Sequence, residues 1–426
     1  MLEIHLIRSN FEAAVSGLQK RGIPQAEPLL QKVLDTDQQR RDLQLKLDKT
    51  LEEGNIKSKQ IGMLMQEGRK DEAQSLKTET STLKLQSKGL QDELQDLISK
   101  LKSQLYDIPN IPHIQVPAGT EETDNQVTEE WGTKPQLTDN ANSPHWDLIK
   151  KYDIIDFDLG SKITGAGFPI YKGAGAKLQR ALISFFLDEA EQAGYHEIQP
   201  PIVINEDSGL ATGQLPDKEG QMYGIVDSNF YLIPTAEVPI TNIYRDSMLR
   251  AQDLPVKMVG YTPCFRREAG SWGADVRGLN RLHQFDKVEI VQIQTPENSY
   301  VALQEMCDHV KALLQKLELP YRILNLCGGD LGFTSAQTFD FEVFAGAQQK
   351  WLEVSSVSNF ETYQSNRLKL RYKKDGKSVL LHTLNGSALA LPRIVAALLE
   401  NNQTPKGIKL PPVLVPYTGF EQITNK

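Results

Sequence analysis

The sequence predicts an α+β protein in which a long helical hairpin precedes an antiparallel sheet flanked by helices. Residues 29–105 contain no proline and no aromatic residue, and their apolar residues recur at close to heptad spacing. From residue 146 onward, short strand-like segments alternate with helix-like segments through tight connections, which is typical of antiparallel sheets. No glycine-rich phosphate loop follows a predicted strand, so the common nucleotide folds are not indicated.

The hairpin is predicted to consist of two antiparallel coiled-coil helices. Apolar or small residues alternate steps of four and three from Leu47 to Met65, and a second series runs from Leu83 to Leu105. Gly68 among charged neighbours marks the turn between the two helices. A dimerisation or spacer coil is one interpretation, and a rod whose lysines reach the phosphates of an extended partner is the other.

The composition changes after the hairpin and suggests a domain boundary. Residues 111–145 are rich in proline, glycine, threonine, asparagine and acidic residues and show little periodicity, which is typical of an exposed linker. We therefore expect an N-terminal domain at residues 1–110, this linker, and a second domain at residues 146–426.

Charge and cysteine usage narrow the function classes. The net charge of −8 does not favour a nucleic-acid binder, although a local basic patch counts for more than the sum. The sequence shows no apolar run near the ~18 residues of a membrane span and no secretory signal pattern at its start. The three cysteines form no Cys-x-x-Cys pair, so free thiols in the cytoplasm are expected rather than disulfides or a zinc finger.

The stretch 264–291 carries the strongest chemical signal. It is predicted to form two strands around a loop that contains arginines, with Arg266 and Glu268 on one strand face. An arginine can hold a phosphate through two parallel N–H bonds, and a nearby carboxylate can accept a bond from the amino group of a base. For Arg-x-Glu alone, an exposed ion pair is the simpler interpretation.

Three further segments carry polar side chains suited to substrates. Thr235 and Glu237 follow a strand, where a helix cap is the alternative interpretation. Glu353 and Ser355 are expected on one strand face with two more hydroxyls nearby, a set that suits Mg²⁺ unless it is only a polar strand end. Arg393 is expected near a helix N-terminus, where anions are favoured, although a single arginine is more often a surface residue.

In this order the segments resemble the class II aminoacyl-tRNA synthetases, and within them the bacterial-type seryl-tRNA synthetases. Pro200-Pro201 is similar to the end of motif 1, residues 265–289 to motif 2 and residues 386–393 to motif 3. Thr235-Ala236-Glu237 and Glu353-Val354-Ser355-Ser356 resemble strings particular to the seryl member, and the hairpin resembles its tRNA-binding arm. The chain departs from the family pattern at three positions, which are Leu352, Ala388 and Pro392.

The resemblance implies an enzyme that activates L-serine with ATP and transfers it to tRNA(Ser), and through shared shape to tRNA(Sec). It also implies the class II catalytic sheet, Mg²⁺, a homodimer and a cytoplasmic location. The implied catalytic residues are Arg266 and Arg393. The implied ATP-binding residues are Arg266, Arg267, Glu268, Phe285, Glu353, Val354, Ser355, Ser356 and Arg393, and Glu353 and Ser356 would hold the metal. The implied serine-binding residues are Thr235, Ala236, Glu237, Arg266, Glu289, Asn385 and Ser387.

Two alternatives remain open at this point. One is a synthetase-like ligase that loads an amino acid onto a carrier protein, and members of that kind lack the long arm. The other is a non-catalytic paralogue that binds RNA or a partner protein. Such a paralogue is expected to have lost Arg266, Glu268 or Arg393, and this chain has all three.

Overall fold

The structure is a computed structural model that describes residues 1–268 and 277–425. The chain divides into two compact units. The first comprises residues 2–19 and 23–109, and the second comprises Met1, residues 20–22 and residues 110–426. Part of the arginine-bearing loop predicted from the sequence, residues 269–276, lies outside the described residues.

The first unit is built on two long helices that pair along their length. Its helices are α1 (Ile4–Ser9), α2 (Phe11–Lys20), α3 (Ala26–Gln66) and α4 (Lys70–Tyr106). Leu47, Leu90 and Leu94 form a buried cluster between α3 and α4, and Lys57 of α3 pairs with Glu79 of α4 at 2.7 Å. The 41 residues of α3 span about 60 Å at ~1.5 Å per residue. The predicted helical hairpin is therefore confirmed.

The second unit alternates helices and strands. Its described α-helices are α5 (His145–Lys151), α6 (Phe157–Ile163), α7 (Gly173–Gln192), α8 (Glu206–Thr212), α9 (Glu237–Asn242), α10 (Ser299–Lys316), α11 (Thr362–Leu368), α12 (Leu391–Asn401) and α13 (Val415–Thr418). Its described strands are β1 (Gln126–Trp131), β2 (Ile155–Asp156), β3 (Ile170–Tyr171), β4 (His196–Glu197), β5 (Val203–Asn205), β6 (Tyr223–Gly224), β7 (Phe230–Leu232), β8 (Met248–Leu249), β9 (Val256–Phe265), β10 (Gln284–Gln294), β11 (Tyr321–Asn325), β12 (Gln337–Ala345), β13 (Lys350–Asn359), β14 (Arg371–Lys374), β15 (Lys377–Leu380), β16 (His382–Ala390), β17 (Gln403–Thr404), β18 (Gly407–Lys409) and β19 (Gln422–Ile423).

The largest sheet of the described chain has eight strands in the order β1-β11-β12-β13-β16-β10-β9-β4. Within it, the neighbouring strands of residues 1–268 and 277–425 pair antiparallel except β4, which runs parallel to β9 at one edge. Apolar residues of α7, α10 and α12 pack with β10, β12 and β13 in one continuous core. The predicted α+β class with an antiparallel sheet is therefore confirmed.

Two sequence-based expectations differ from the fold. Residues 126–131, inside the expected linker, form β1, whose register pairs Trp131 with Tyr321 of β11. Five of the six β1 residues are exposed, so the strand lacks the apolar alternation by which strands are recognised. The alternation of residues 338–344 predicts an edge or half-buried strand, but these residues lie in β12, between β11 and β13 in the interior of the sheet.

Candidate active site

Strand β10 places a carboxylate at the centre of a buried polar pocket. Its register sets Glu289 opposite Gly260 on β9 and opposite Ser387 on β16. Glu289 is 1% exposed and accepts hydrogen bonds from Asn385 Nδ2 at 3.0 Å, Thr235 Oγ1 at 3.3 Å and Ser387 Oγ at 3.5 Å. The structure thus brings together four of the residues that the sequence assigned to serine.

Lys287 is a member of this pocket that the sequence reasoning missed. Its Nζ lies 2.6 Å from Oε2 of Glu289, and both side chains are buried. A buried carboxylate is costly unless a cation or several donors compensate for lost water, and Lys287 supplies that cation beside Glu289. The strand period was the available signal, since a residue two positions before Glu289 faces the same way.

Glu237 is a second buried carboxylate, at the start of α9 and directly after the buried Ala236. Its Oε1 accepts a 2.7 Å bond from Gln364 Nε2, and its backbone N–H donates to Thr235 Oγ1 at 3.3 Å. Burial raises the pKa of Glu237 to about 7, and the neighbouring charge of Glu289 adds to the rise. Gln364 was not predicted as a site residue, and no motif in the sequence points to it.

Arg266 and Glu268 do not share a strand face as expected. Strand β9 ends at Phe265, and Glu268 has a φ of 49°, in the left-handed region. The guanidinium of Arg266 lies 5.4 Å from the ring centroid of Phe285, and its Nε donates to the Pro234 carbonyl at 3.4 Å. Glu268 instead forms an ion pair with the Nε of Arg281.

The neighbouring Arg267 is exposed, and its backbone N–H donates to the carbonyl of Gln221 at 2.9 Å. The side-chain oxygen of Gln221 accepts from the backbone N–H of Glu268 at 3.1 Å. The turn after β9 is therefore held by one glutamine, and side chains of residues 266–268 leave it in different directions.

Arg393 lies in the first turn of α12, as predicted, next to Pro392. Its Nε donates to the Asn280 carbonyl at 3.1 Å, and its Nη1 donates to the Glu353 carbonyl at 2.7 Å. Because Ala390 pairs with Lys287, the start of α12 lies beside the strand that carries Phe285. A cation at a helix N-terminus opposes the helix dipole, so this arginine suits a site that receives an anion.

Strand β13 contains a bulge that separates the predicted hydroxyl residues. Its register pairs Glu353 with Glu342 but Ser355 with Phe341, so Val354 is the extra residue. Ser355 is consequently buried, and its hydroxyl donates to the Ser387 carbonyl at 2.5 Å. The prediction that Glu353 and Ser355 share a strand face is wrong, because the bulge reverses the alternation.

Glu353 and Ser356 instead line one cavity of about 400 Å³. The Oγ of Ser356 lies 3.5 Å from Oε1 of Glu353 and also donates to Asp340. Burial and the nearby Glu353 raise the pKa of Asp340 well above its ordinary value. Carboxylate and hydroxyl oxygens open to solvent fit Mg²⁺, which is usually held by one or two carboxylates together with substrate phosphates.

Residues 1–268 and 277–425 lack two further features. No cluster of three or more histidine, cysteine, aspartate or glutamate residues there could enclose a metal ion. None of the helices described combines the length and apolarity needed to cross a membrane.

Comparison with known proteins decides the family. The chain is 47% identical to the serine–tRNA ligase of Salinibacter ruber over 426 residues, which covers 99% of each chain. It belongs to the seryl-tRNA synthetase family. Family profiles agree: residues 1–112 match the seryl-tRNA synthetase N-terminal domain, and residues 223–402 match the class II tRNA synthetase core domain for G, H, P, S and T.

Solved structures of the family agree with the fold. A seryl-tRNA synthetase from Pyrococcus horikoshii, complexed with ATP, aligns with a TM-score of 0.93 at 32% identity and covers 100% of both chains. A cytoplasmic serine–tRNA ligase from Naegleria fowleri, complexed with AMP, aligns with a TM-score of 0.88 at 27% identity. The alignment covers 100% of this chain and 99% of that one. The carrier-protein ligase and the non-catalytic paralogue find no support in these relatives.

Glu237 generates a prediction about stability and pH. Its pKa is about 7 when folded against an ordinary value of 4.5, so the folded state binds more protons between these values. The stabilisation is complete below about pH 4.5 and is lost as pH rises through about 7, amounting to up to ~3 kcal/mol. We expect Glu237→Gln to raise the melting temperature at pH 8 and to leave it little changed at pH 4.5.

The control is Glu191→Gln, which removes an exposed carboxylate of α7. Melting temperatures of the three proteins would be compared from pH 4.5 to pH 8. A difference between Glu237→Gln and the unmodified protein that does not change with pH would contradict the raised pKa.

Proposed function

We propose that the pocket formed by β10, β13 and β16 carries out both steps of serine–tRNA ligation. The serine carboxylate attacks the α-phosphate of ATP, which gives seryl-adenylate and releases pyrophosphate. The 3′-hydroxyl of a tRNA then attacks the acyl carbon and releases AMP. The observation that carries this proposal is the buried Glu289, which pairs with Lys287 and has hydroxyl and amide donors around it.

The serine pocket uses two carboxylates for two different groups. Glu237 and Thr235 bind the ammonium group, with the buried Ala236 behind them, and Glu289 with Ser387 and Asn385 binds the hydroxyl. Alanine would leave the buried partners of the hydroxyl unpaired, which costs about 1–3 kcal/mol for each partner. Selection against alanine therefore follows from burial, whereas selection against threonine depends on the space around one methyl group.

ATP is held by charge and stacking. Arg266 contacts the α-phosphate beside the serine carboxylate, Glu268 accepts a bond from the adenine amino group, and Phe285 stacks on the adenine. Arg393 covers the other face of the base and reaches the γ-phosphate. Neither step needs a nucleophile from the protein, so Arg266 and Arg393 act by positioning the reacting groups and stabilising charge.

Three further positions on the ATP side complete the nucleotide site, two of them through the backbone and one through its charge. The side chains of Val354 and Ser355 are buried away from the cavity, so their contribution to ATP binding comes from main-chain groups. Arg267 is exposed and adds positive charge beside the phosphates. The ATP and AMP complexes of the Pyrococcus horikoshii and Naegleria fowleri proteins support a nucleotide site in this chain.

Mg²⁺ is the metal that the oxygen ligands fit. Glu353 and Ser356 would hold it together with the phosphates, and Asp340 orients the Ser356 hydroxyl by accepting a hydrogen bond from it. When bound, the ion neutralises charge on the phosphates.

The helical hairpin of α3 and α4 is the proposed tRNA arm, which suits the long variable stem of tRNA(Ser) and the similar shape of tRNA(Sec). Strand β4 precedes Pro200-Pro201 and pairs with β9 at an edge of the sheet. The outer side of an edge strand can pair with a strand of another chain. We take this edge as support for a homodimer. A tRNA substrate accords with a cytoplasmic location.

The activity is tested by amino-acid-dependent ATP–pyrophosphate exchange with serine, threonine and alanine measured side by side. We expect exchange with serine to exceed that with alanine by at least about 100-fold, since one missing hydroxyl leaves several buried partners unpaired. Equal exchange with alanine, or none with serine, would contradict the assignment.

The role of Glu289 is tested by Glu289→Gln, which keeps the side-chain shape and removes the charge. Loss of a charge-assisted hydrogen bond costs ~1.5–3 kcal/mol, so the KM for serine should rise about 10- to 100-fold. The KM for ATP should stay within about threefold, because Glu289 has no proposed contact with ATP.

A matched control is Glu129→Gln on β1, which also loses an ion pair, with Lys311. Glu129 lies on the edge strand farthest from β10 within the sheet. Both KM values should remain near those of the unmodified protein in this control. Unchanged serine KM in Glu289→Gln would refute the hydroxyl-binding role.

The arm is tested by a shortened hairpin in which residues 48–89 are replaced by a Gly-Ser turn. This deletion keeps the cluster of Leu47, Leu90 and Leu94 and so preserves the packing at the base of the helices. We expect pyrophosphate exchange to stay within about twofold and tRNA charging to fall by about 100-fold or more, because the phosphate contacts are lost. Equal loss of both activities would count against the arm.

A further inference from the structure

A polar network surrounds the fully buried Glu400, near the end of α12. Oε1 of Glu400 accepts from His145 Nδ1 at 2.9 Å, from the His145 backbone N–H at 2.9 Å and from Gln348 Nε2 at 2.8 Å. Its Oε2 accepts from the backbone N–H groups of Ala347 and Gln348, each at 3.1 Å. Five N–H groups therefore converge on one carboxylate.

Burying the Glu400 carboxylate costs free energy of folding, so its presence calls for a functional explanation. Both Glu400 and His145 are 0% exposed, and none of the five donors is a lysine or arginine. A negative charge near a helix C-terminus is also disfavoured by the helix dipole. The five donors offset the loss of water, but an apolar core at the same place would avoid the cost altogether.

The network fixes the orientation of the His145 ring. The backbone N–H of Leu279 donates to His145 Nε2 at 2.9 Å, so Nε2 carries no proton and Nδ1 carries the one donated to Glu400. Gly278 has a φ of +67°, and a Cβ at this position would lie 2.3 Å from His145 Nε2. The segment 278–279 is thus seated directly on the ring.

The same segment holds Arg393. The Asn280 side chain donates to Gln348 Oε1 at 2.9 Å, and the Asn280 carbonyl accepts from Arg393 Nε at 3.1 Å. Trp146, the residue after His145, lies 4.9 Å from the guanidinium of Arg277 at the start of this segment. The segment is therefore anchored at both ends before it presents its carbonyl to the arginine.

We infer that His145, Gln348 and Glu400 are positioning residues for Arg393, an inference that rests on the proposed role of Arg393 in ATP binding. They act through the Asn280 carbonyl, which fixes one edge of the guanidinium while the Glu353 carbonyl fixes another. A shift of about 1 Å in such an anchor misplaces the charge that the phosphates require, and misplacement of this size can cost about 100-fold in rate.

The test compares substitutions at His145 in the full chain. His145→Phe removes the acceptor for the Leu279 N–H, while the amide oxygen of His145→Gln can occupy the position of Nε2. We expect His145→Phe to raise the KM for ATP in serine-dependent exchange about tenfold or more, with the KM for serine within about twofold. His145→Gln should recover most of the ATP affinity, a rescue that a purely structural role would not produce.

The matched control is His382→Phe. His382, at the start of β16, is also buried, and its Nδ1 lies 2.8 Å from Ser299 Oγ. The control should show a similar drop in melting temperature with an unchanged ratio of the two KM values. If His145→Phe does not fold, Gln348→Met tests the same path by removing the bond to Asn280, and it should raise the ATP KM in the same selective way.

Arg393→Ala separates the two possible failures. Loss of exchange in this variant with unchanged ATP KM in folded His145→Phe and Gln348→Met would overturn the positioning inference alone. Unchanged exchange in Arg393→Ala would overturn the proposed role of Arg393 and, with it, the inference. A selective rise in the ATP KM that also appears in His382→Phe would assign the effect to general destabilisation and overturn the inference.

Discussion

The pairing register of β10 with β9 and β16 is the constraint on which the site depends. It places Glu289 opposite Ser387 and turns Val288 and Ile290 toward the helix-covered core. Because side chains alternate along a strand, a slip of one residue would bury the apolar pair in the pocket and send the carboxylate into the core. The free energy of packing α7, α10 and α12 on the sheet therefore also stabilises the position of Glu289, the carboxylate proposed to bind serine.

Three buried carboxylates in this domain meet the cost of lost water in three different ways. Glu289 has a cation, Lys287, at 2.6 Å. Glu237 lies beside Gln364 and has its pKa raised to about 7, so it holds its proton more readily than an exposed carboxylate does. Glu400 receives five N–H donors instead. Glu289 and Glu237 lie in the proposed serine pocket, where the substrate has both a hydroxyl and an ammonium group. Glu400 lies behind Arg393, the arginine proposed to contact ATP.

The sequence predicts the hairpin and the antiparallel sheet well, because heptad spacing and short alternating strands are local patterns. It also identifies the motif residues Arg393 and Glu289, whose placement the structure describes in detail. Sequence reasoning fails where one backbone irregularity decides which way a side chain points. The bulge at Val354, for example, turns the Ser355 side chain inward. Sequence reasoning also misses residues defined only by tertiary contact: nothing local connects Gln364 with Glu237, which lies 127 positions away.

Arg393 is anchored by neutral groups, and the network around Glu400 fixes one of these anchors without a lysine or arginine. The Asn280 and Glu353 carbonyls are neutral acceptors, so they orient the guanidinium without cancelling its charge, and the Glu353 carboxylate stays at 3.6 Å. A carboxylate in direct contact would hold the arginine more tightly but would compete with the phosphates for the same N–H groups. Neutral anchors must themselves be fixed, because a carbonyl binds weakly and its position depends on the chain around it. Glu400 therefore acts at a distance, where its hydrogen bonds rigidify the segment that carries the Asn280 carbonyl and leave the guanidinium of Arg393 for the phosphates of the proposed ATP site.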